Sequence, residues 1–447
     1  MKELMVVGGG ITGLAAAYLA ARAGVKVTIL ESSPNAGGLL ATFPIGGTRL
    51  EWFYHHSFTH DAELLWLLRE LGIENRMRFH PGSMGVFRGG RIYPFNGPKD
   101  LLGFRPMSFL DKVRFGLTSL YLARRAEWRD YENVPARDWF ERYAGHGATE
   151  SLWNPMLQVK FGPYAGQIPL AWMVGRLRQR LNSRGKDGEK LGYLQGSLQT
   201  LLDALLAALN RLGARLLTST PVEGVLSTGG AVTGLRTRHG IMKADAYLFT
   251  VPTTVFSDLM LEVSENYAAE LKRIEYFAAV CVVLELQQSL QPCYWLNIAD
   301  PNYPFGGVIE HTRLVSPEDY GGRHIVYLSR YLDQGDPLVG QSVPEIRATM
   351  MAGLKRMYPG LPDSAVLDIK VFSSRTAAVV SDLNFSRKVP ACRTPFPGMF
   401  LASMPHIYPD ERSCNNSIRV AAEACRVMQI PADVPRGPSL SGAINMN

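Results

Sequence analysis

Three glycines at fixed spacing carry the first chemistry legible in this chain. Gly8, Gly10 and Gly13 follow the apolar run Leu4-Met5-Val6-Val7 and precede Leu14–Arg22, a run of strong helix formers. A strand, glycine turn and helix in that order presents backbone N–H groups and a positive helix end to a pyrophosphate. Gly8 permits the tight turn, Gly10 lets the backbone approach the phosphates, and Gly13 lets the helix pack close on the strand. Ile11 and Thr12 complete the turn. Past Gly24, Val25–Leu30 reads as a second strand, and Glu31 at its end, beside Ser32, stands where an acid accepts ribose hydroxyls. These residues predict a dinucleotide cradle and leave NAD, NADP and FAD open.

Other side chains could move protons or orient a substrate. His55 and His56 lie in Leu50-Glu51-Trp52-Phe53-Tyr54-His55-His56-Ser57, where imidazoles beside aromatic groups can transfer protons near neutral pH. Lys160 interrupts the mostly apolar stretch Trp153–Gly162. Asn297, Glu310 and His311 occur among Tyr294, Trp295, Tyr303 and Phe305, a pattern that suits either a pocket wall with polar orienting groups or a sheet edge. Arg412, in Asp410-Glu411-Arg412, could neutralise cofactor or substrate charge. The five cysteines show neither C-x-x-C spacing nor histidines at zinc-ligand intervals, so no metal site is expected.

The stretch after Glu31 discriminates between cofactors. Ser32-Ser33-Pro34-Asn35-Ala36-Gly37-Gly38 sets a Gly-Gly pair six residues beyond the acid. On these motifs the chain resembles the flavoprotein superfamily of amine oxidases, protoporphyrinogen oxidases and phytoene desaturases, and more distantly the UDP-galactopyranose mutases. The resemblance implies FAD, with Glu31 on the ribose and Gly37-Gly38 passing close to the pyrophosphate. The third residue of that turn is usually Arg or Lys; here Leu39 removes one phosphate contact. The same resemblance makes Val222, in Pro221–Val225, the residue packed on the adenine. It makes Ala244–Pro252, with Val251, the strand that returns to the cofactor domain. The strand Pro397–Ser403 and the helix from Ser413–Asn416 would then close over the flavin, with Ser403, Asn415 and Asn416 as contacts. His55 and His56 would lie near the isoalloxazine ring, and Lys160 is either a lysine near flavin N5 or a surface one.

The architecture expected from this reading is α/β, a Rossmann-like FAD-binding domain with an inserted α+β substrate domain of mixed sheet and helices. The FAD domain takes residues 1–60, 191–275 and 375–430. The substrate domain takes 61–190, read as helical, and 276–374, read as sheet, and residues 431–447 form a loosely held tail. A helix over Phe109–Arg129 carries Lys112, Arg114, Arg124, Arg125 and Arg129 among leucines and aromatics. It either packs on its domain or rests on an anionic membrane. Arg176, Arg178 and Arg180 spread over more than one helical face and read as solvated, with attraction of an anionic substrate as a further role.

Composition limits the alternatives. The excess of 47 basic over 40 acidic residues is not gathered in a tail, which argues against nucleic acid as a partner. Three residues before the first strand leave no room for a signal peptide, and no apolar run reaches the length needed to span a bilayer. The expected place is the cytoplasm, with peripheral contact at the inner membrane face allowed. The function expected is an FAD-dependent oxidoreductase that removes hydride from a bulky, largely apolar small molecule at flavin N5. A non-redox enzyme resembling UDP-galactopyranose mutase and a non-catalytic flavin-binding escort are the alternatives. Oligomeric state and electron acceptor stay open.

Overall fold

Leu4–Val7 is continuously apolar because a strand inside a parallel sheet is covered on both faces. In the computed structural model, which describes residues 1–185, 188–438, 444 and 446, Glu3–Val7 occupies the centre of a five-stranded sheet. Its order is Arg215–Leu217, Lys26–Leu30, Glu3–Val7, Ala246–Phe249 and Met399–Leu401, and every pairing is parallel. The helices Ile11–Arg22, Gln199–Arg211 and Cys414–Val427 cover one face, sharing a core of Leu14, Ala17, Leu201, Leu205, Ile418 and Ala421. Small alanines along Ala15–Ala17 and Ala421–Ala422 let the first and last helices approach closely, and Cys425 Sγ reaches Ala16 O at 3.7 Å.

The second sheet is mixed and seven-stranded, in the order Val366–Val379, Tyr276–Leu286, His324–Leu332, Gly307–Glu310, Trp295–Ile298, Met84–Arg88 and Arg91–Pro94. Every residue of Tyr276–Leu286 is buried, and the period-2 alternation of a strand explains what each face meets. Ala278, Val280, Val282 and Leu284 pack against Ile346, Met350 and Leu354 of the helix Val343–Met357. Ala279, Cys281 and Val283 face the opposite way, toward Phe43, Leu50, Phe53 and Tyr327.

Residues 61–190 are not purely helical. Met84–Arg88 and Arg91–Pro94 form a hairpin across Gly89-Gly90, whose φ values of 59° and 70° suit a two-residue turn. Met84–Arg88 also pairs in parallel with Trp295–Ile298, so both inserted stretches build one sheet. The long helix ends at Arg124, short of Arg129. Around it Phe104, Phe140, Trp128 and Trp153 make a separate core, with Phe140 and Trp153 stacked at 4.3 Å.

Residues 431–438 are fastened by hydrogen bonds on their backbone to the helices packed around the five-stranded sheet. Residues 431–438 carry no helix or strand, yet Val434, Ile444 and Met446 are buried. Arg426 donates to Ala432 O and Val434 O, and Gly437 N donates to Glu63 Oε1. That carboxylate also takes Arg419 Nε, and both side chains are nearly excluded from solvent, at 1% and 5% exposed. Removing one partner of such a pair leaves the other charged and buried. Arg419→Met is therefore expected to cost about 3–5 kcal/mol in urea denaturation, with part recovered by adding Glu63→Gln. A double-variant loss equal to the sum of the two single losses would show that the pair is not coupled.

Candidate active site

Gly13 sits where a side chain cannot: a Cβ there would collide with the carbonyl oxygen of Gly8. Gly8 itself has φ +110°, and a Cβ on it would come within 2.7 Å of Thr250 Oγ1. Helix Ile11–Arg22 is thereby pressed onto the strand end, with Gly10 as its cap. Glu31 accepts Gly9 N–H and Ser33 N–H, both at 2.7 Å, one on each carboxylate oxygen. Ser32 O–H also donates to Oε1 at 3.3 Å, and Oε2 keeps a lone pair for a ribose hydroxyl. Gly37 N donates to Gly9 O at 2.8 Å and locks the second glycine turn beside the first.

From this turn a cavity of about 1080 Å³ runs into the second sheet and the helical insertion. Gly8, Gly10, Ile11, Thr12, Glu31, Ser32, Gly37, Gly38, Leu39, Val251 and Ser403 line its first part. Trp52–Phe58 wall the middle. That wall is held from behind by Glu51, buried and missed in the sequence, which accepts Tyr193 O–H at 2.8 Å and Leu198 N–H at 2.6 Å. Its backbone oxygen takes Tyr327 O–H at 2.9 Å. Tyr54 meets Trp295 edge to face at 4.8 Å, opposite Tyr331 and Asn297. The far part is apolar, bounded by Phe95, Leu101, Phe115, Leu120, Trp153 and Met156.

Four predicted site residues, Asn415, Asn416, Glu310 and His311, are not on the cavity wall. Val222 opens the strand Val222–Thr228 and packs half-buried against the core beneath the sheet. Asn415 and Asn416 turn away. Asn415 Oδ1 accepts Leu64 N–H at 3.0 Å and Asn416 Nδ2 donates to Glu411 O at 2.7 Å. The last helix instead shows its cap Ser413 to the cavity, with Cys414 and Ser417, which lie one turn apart. Glu310 is wholly buried and accepts Ser289 O–H, Leu290 N–H and Gln291 N–H. His311 pairs with Tyr320 O–H at 2.7 Å, and burial lowers its pKa to about 3. Both stabilise a turn. Arg176 and Arg180, read as solvated, line the cavity, and Arg178 donates to Ala123 O and Ala126 O.

Charge gathers on one wall. Lys160 Nζ donates to Glu411 Oε1 at 2.6 Å, Arg176 donates to Glu411 Oε2, and Arg412 donates to Tyr331 O–H. Burial pulls Lys160 down to about 8 despite Glu411, whereas the two cations hold the Glu411 carboxyl well below the usual range against its own burial. Trp172 lies beneath Lys160 at 4.3 Å and beneath Arg176 at 5.5 Å. Of this group only Trp172 and Tyr331 escaped the sequence reading. The alternation Tyr327-Ser329-Tyr331 along a strand was the signal available for the second.

His55 and His56 line the same space. His55 Nδ1 lies 2.6 Å from Phe53 O and so donates to it, which leaves Nε2 as an acceptor. His56 Nδ1 pairs with Tyr294 O–H at 3.1 Å. Burial holds His55 at about 4 and His56 at about 3, so both are neutral at physiological pH.

The flavin-shaped demand on a site of this kind is a glycine cradle with no room for side chains, an acid for ribose and a continuous enclosed space beyond. All three are present. A sequence profile for flavin containing amine oxidoreductases matches residues 11–409. The chain belongs to that family. As a flavin containing amine oxidoreductase, it is 28% identical over 311 residues to a probable zeta-carotene desaturase of Synechococcus elongatus, covering 64% of this chain and 60% of the relative. It is 23% identical over 296 residues to a coproporphyrinogen III oxidase of Bacillus subtilis, covering 58% and 62%. The chain thus spans less than two thirds of the length of these curated relatives. A candidate protoporphyrinogen oxidase of Exiguobacterium sp. 255-15 shares the fold with TM-score 0.76 at 18% identity, over 94% of this chain and 97% of that one. The family's flavin, as FAD, fits the cradle of Gly8–Gly13, Glu31 and Gly37-Gly38.

Two outcomes follow. Gly13→Ala must separate helix from strand, an overpacking that costs about 1–3 kcal/mol, and purified protein should carry less FAD by absorbance. Wild-type FAD content would refute the cradle. The second concerns acid. His55, His56, His311 and His406 are neutral when folded and bind protons once unfolded. The unfolded state therefore binds more protons below about pH 6.5, and stability falls from there toward pH 4, by at most ~1.4 kcal/mol per pH unit for each histidine. Asp61, raised to about 7 by burial, and Glu51, raised by burial as well, oppose this with fewer groups than the four histidines. Denaturant titration at several pH values checks the slope; stability that rises on acidification would contradict it.

Proposed function

We propose that this protein is an FAD-dependent oxidoreductase that removes hydride from a bulky, largely apolar molecule. One observation carries the reading: the dinucleotide cradle and an apolar, aromatic-walled space are two ends of a single cavity. FAD, when bound, supplies the electron acceptor for the C–H bond at its N5. The chain's own residues do the rest. Tyr54, Trp295 and Tyr331 shut out water and fix the face that a flat substrate can present. His55, donating Nδ1–H to Phe53 O, offers Nε2 as a proton acceptor, and Asn297 can hold a polar substituent. Relatives named for carotene and for coproporphyrinogen support a large ring- or chain-shaped substrate.

The helix Phe109–Arg124 supports peripheral membrane contact. Phe109, Leu110, Val113, Leu117, Leu120 and Tyr121 recur at helical spacing on one outward face, with Phe109 73% and Leu117 64% exposed. Arg105, Arg114, Arg124 and Arg125 are exposed around them. Leu120 belongs both to this face and to the cavity lining. An apolar substrate can thus enter from a bilayer without crossing water. No helix among the described residues is long and apolar enough to cross a membrane.

Anaerobic mixing with carotenoid and porphyrinogen panels should bleach the flavin absorbance of the holoprotein with at least one member. An enzyme that acts only after prior reduction, and on a uridine nucleotide sugar, would overturn the reading. Vesicles containing phosphatidylglycerol should co-sediment the protein, and the pair Leu110→Glu and Leu117→Glu should weaken that by about tenfold or more. Undiminished binding of the pair would remove the membrane face.

A further inference from the structure

We infer that Lys160, Arg176 and Arg412 form an oxyanion subsite inside the cavity, and that the substrate is therefore amphipathic, with a carboxylate or phosphate on an apolar body. The inference rests on the cavity being the substrate site. Two other cations of the same lining each have a carboxylate of their own: Arg180 with Glu189 at 2.8 Å, and Arg330 with Asp336 at 2.6 Å. Here Lys160 and Arg176 share the single carboxylate of Glu411, and Arg412 stands on the same wall. Among the described residues no carboxylate lies within ion-pair distance of Arg412, whose hydrogen-bond partner is the neutral Tyr331 hydroxyl. Aromatic faces of Trp172 and Tyr331 compensate the excess only in part.

A surplus of positive charge out of water is costly unless an anion completes it. The shape of the surplus suits an oxyanion, since guanidinium groups offer planar, paired donors that match carboxylate and phosphate oxygens. Partial loss of water around Lys160 is visible in its lowered pKa. The apolar half of the ligand is written on the same helices. Met156 and Lys160 stand one turn apart on Asn154–Phe161, and Met173 and Arg176 likewise on Leu170–Asn182, all facing the cavity. A chain or ring lying along the methionines brings its charged end to the cations. Glu411 is then a placeholder that holds Lys160 and Arg176 in position and Asn416 holds its backbone.

Calorimetric titration of the FAD-loaded protein with dodecyl phosphate, laurate, dodecanol and inorganic phosphate, each below any micelle concentration, tests this. Dodecyl phosphate or laurate should bind more tightly than both dodecanol and inorganic phosphate, and the tighter of the two identifies the head group. Arg412→Gln should weaken that binding roughly tenfold, the ratio expected for one charge-assisted hydrogen bond. Glu411→Gln should strengthen it, and dodecyl phosphate should raise the melting temperature of that variant more than that of the parent. Opposite signs for the two substitutions exclude a merely structural role, which would weaken both. Dodecanol or inorganic phosphate binding as tightly as the amphiphile would overturn the inference. So would Arg412→Gln losing FAD while its dodecyl phosphate affinity is unchanged, which would reassign the cation to the cofactor. Flavin bleaching is measured separately. A protein that oxidises neutral substrates and ignores the amphiphiles loses this inference and keeps the proposed activity, whereas one that binds them without bleaching does the reverse.

Discussion

A parallel sheet cannot be made from hairpins. Each neighbouring pair needs a long crossover from the end of one strand to the start of the next. With Glu3–Val7 central and its neighbours drawn from residues 26–30, 215–217, 246–249 and 399–401, the chain must leave this sheet and return repeatedly. Two of those departures are long enough to build a second sheet and its helices. The cavity lies where the two sheets' contributions meet, and it exists because two of the crossovers that parallel pairing requires are expanded into insertions. Everything that touches the cofactor cradle from the far side, including the Trp52–Phe58 wall and Tyr331, is brought there by that constraint.

Burial of charge is the second organising force. The cradle needs one acid, Glu31, and satisfies it with backbone N–H groups from the turn itself. Glu63 and Arg419 seal the last helix against the helix Ala62–Glu70 and the segment around Gly437. On the substrate side the balance is left incomplete around Glu411, next to aromatic rings. Structural pairs close their own charge; this group leaves some open to the cavity. That contrast separates groups that hold the fold from groups that face a ligand, and it holds for Glu310 and His311, whose partners are all internal.

How much could be read before folding differs sharply along the chain. The glycine turn, Glu31 and the Gly37-Gly38 pair were legible because their job is local: backbone shape and acid position within about thirty residues of sequence define it. The return strand Ala246–Phe249, the strand Tyr276–Leu286 and the closing helix were also legible from continuous apolar runs and helical spacing. Asn415 and Asn416 show the limit. Their position at a helix start is a sequence property, but which residues of that first turn face the cavity depends on the rotation imposed by packing against Ile11–Arg22. Arg176 and Arg180 misled for a related reason, since a basic stripe looks solvated until another element covers it.

By itself, then, the sequence determined the cofactor cradle, which follows from short-range spacing, and its resemblance to a flavoprotein family implied the flavin class and the α/β fold. Only the tertiary structure decided that Lys160, Arg176, Glu411 and Arg412 share one wall, that Glu51 anchors the aromatic segment, and that the apolar helix face adjoins the cavity's far end. Those pairings join residues up to 251 positions apart. No local rule encodes them, because burial and charge compensation are set by whatever the fold brings alongside.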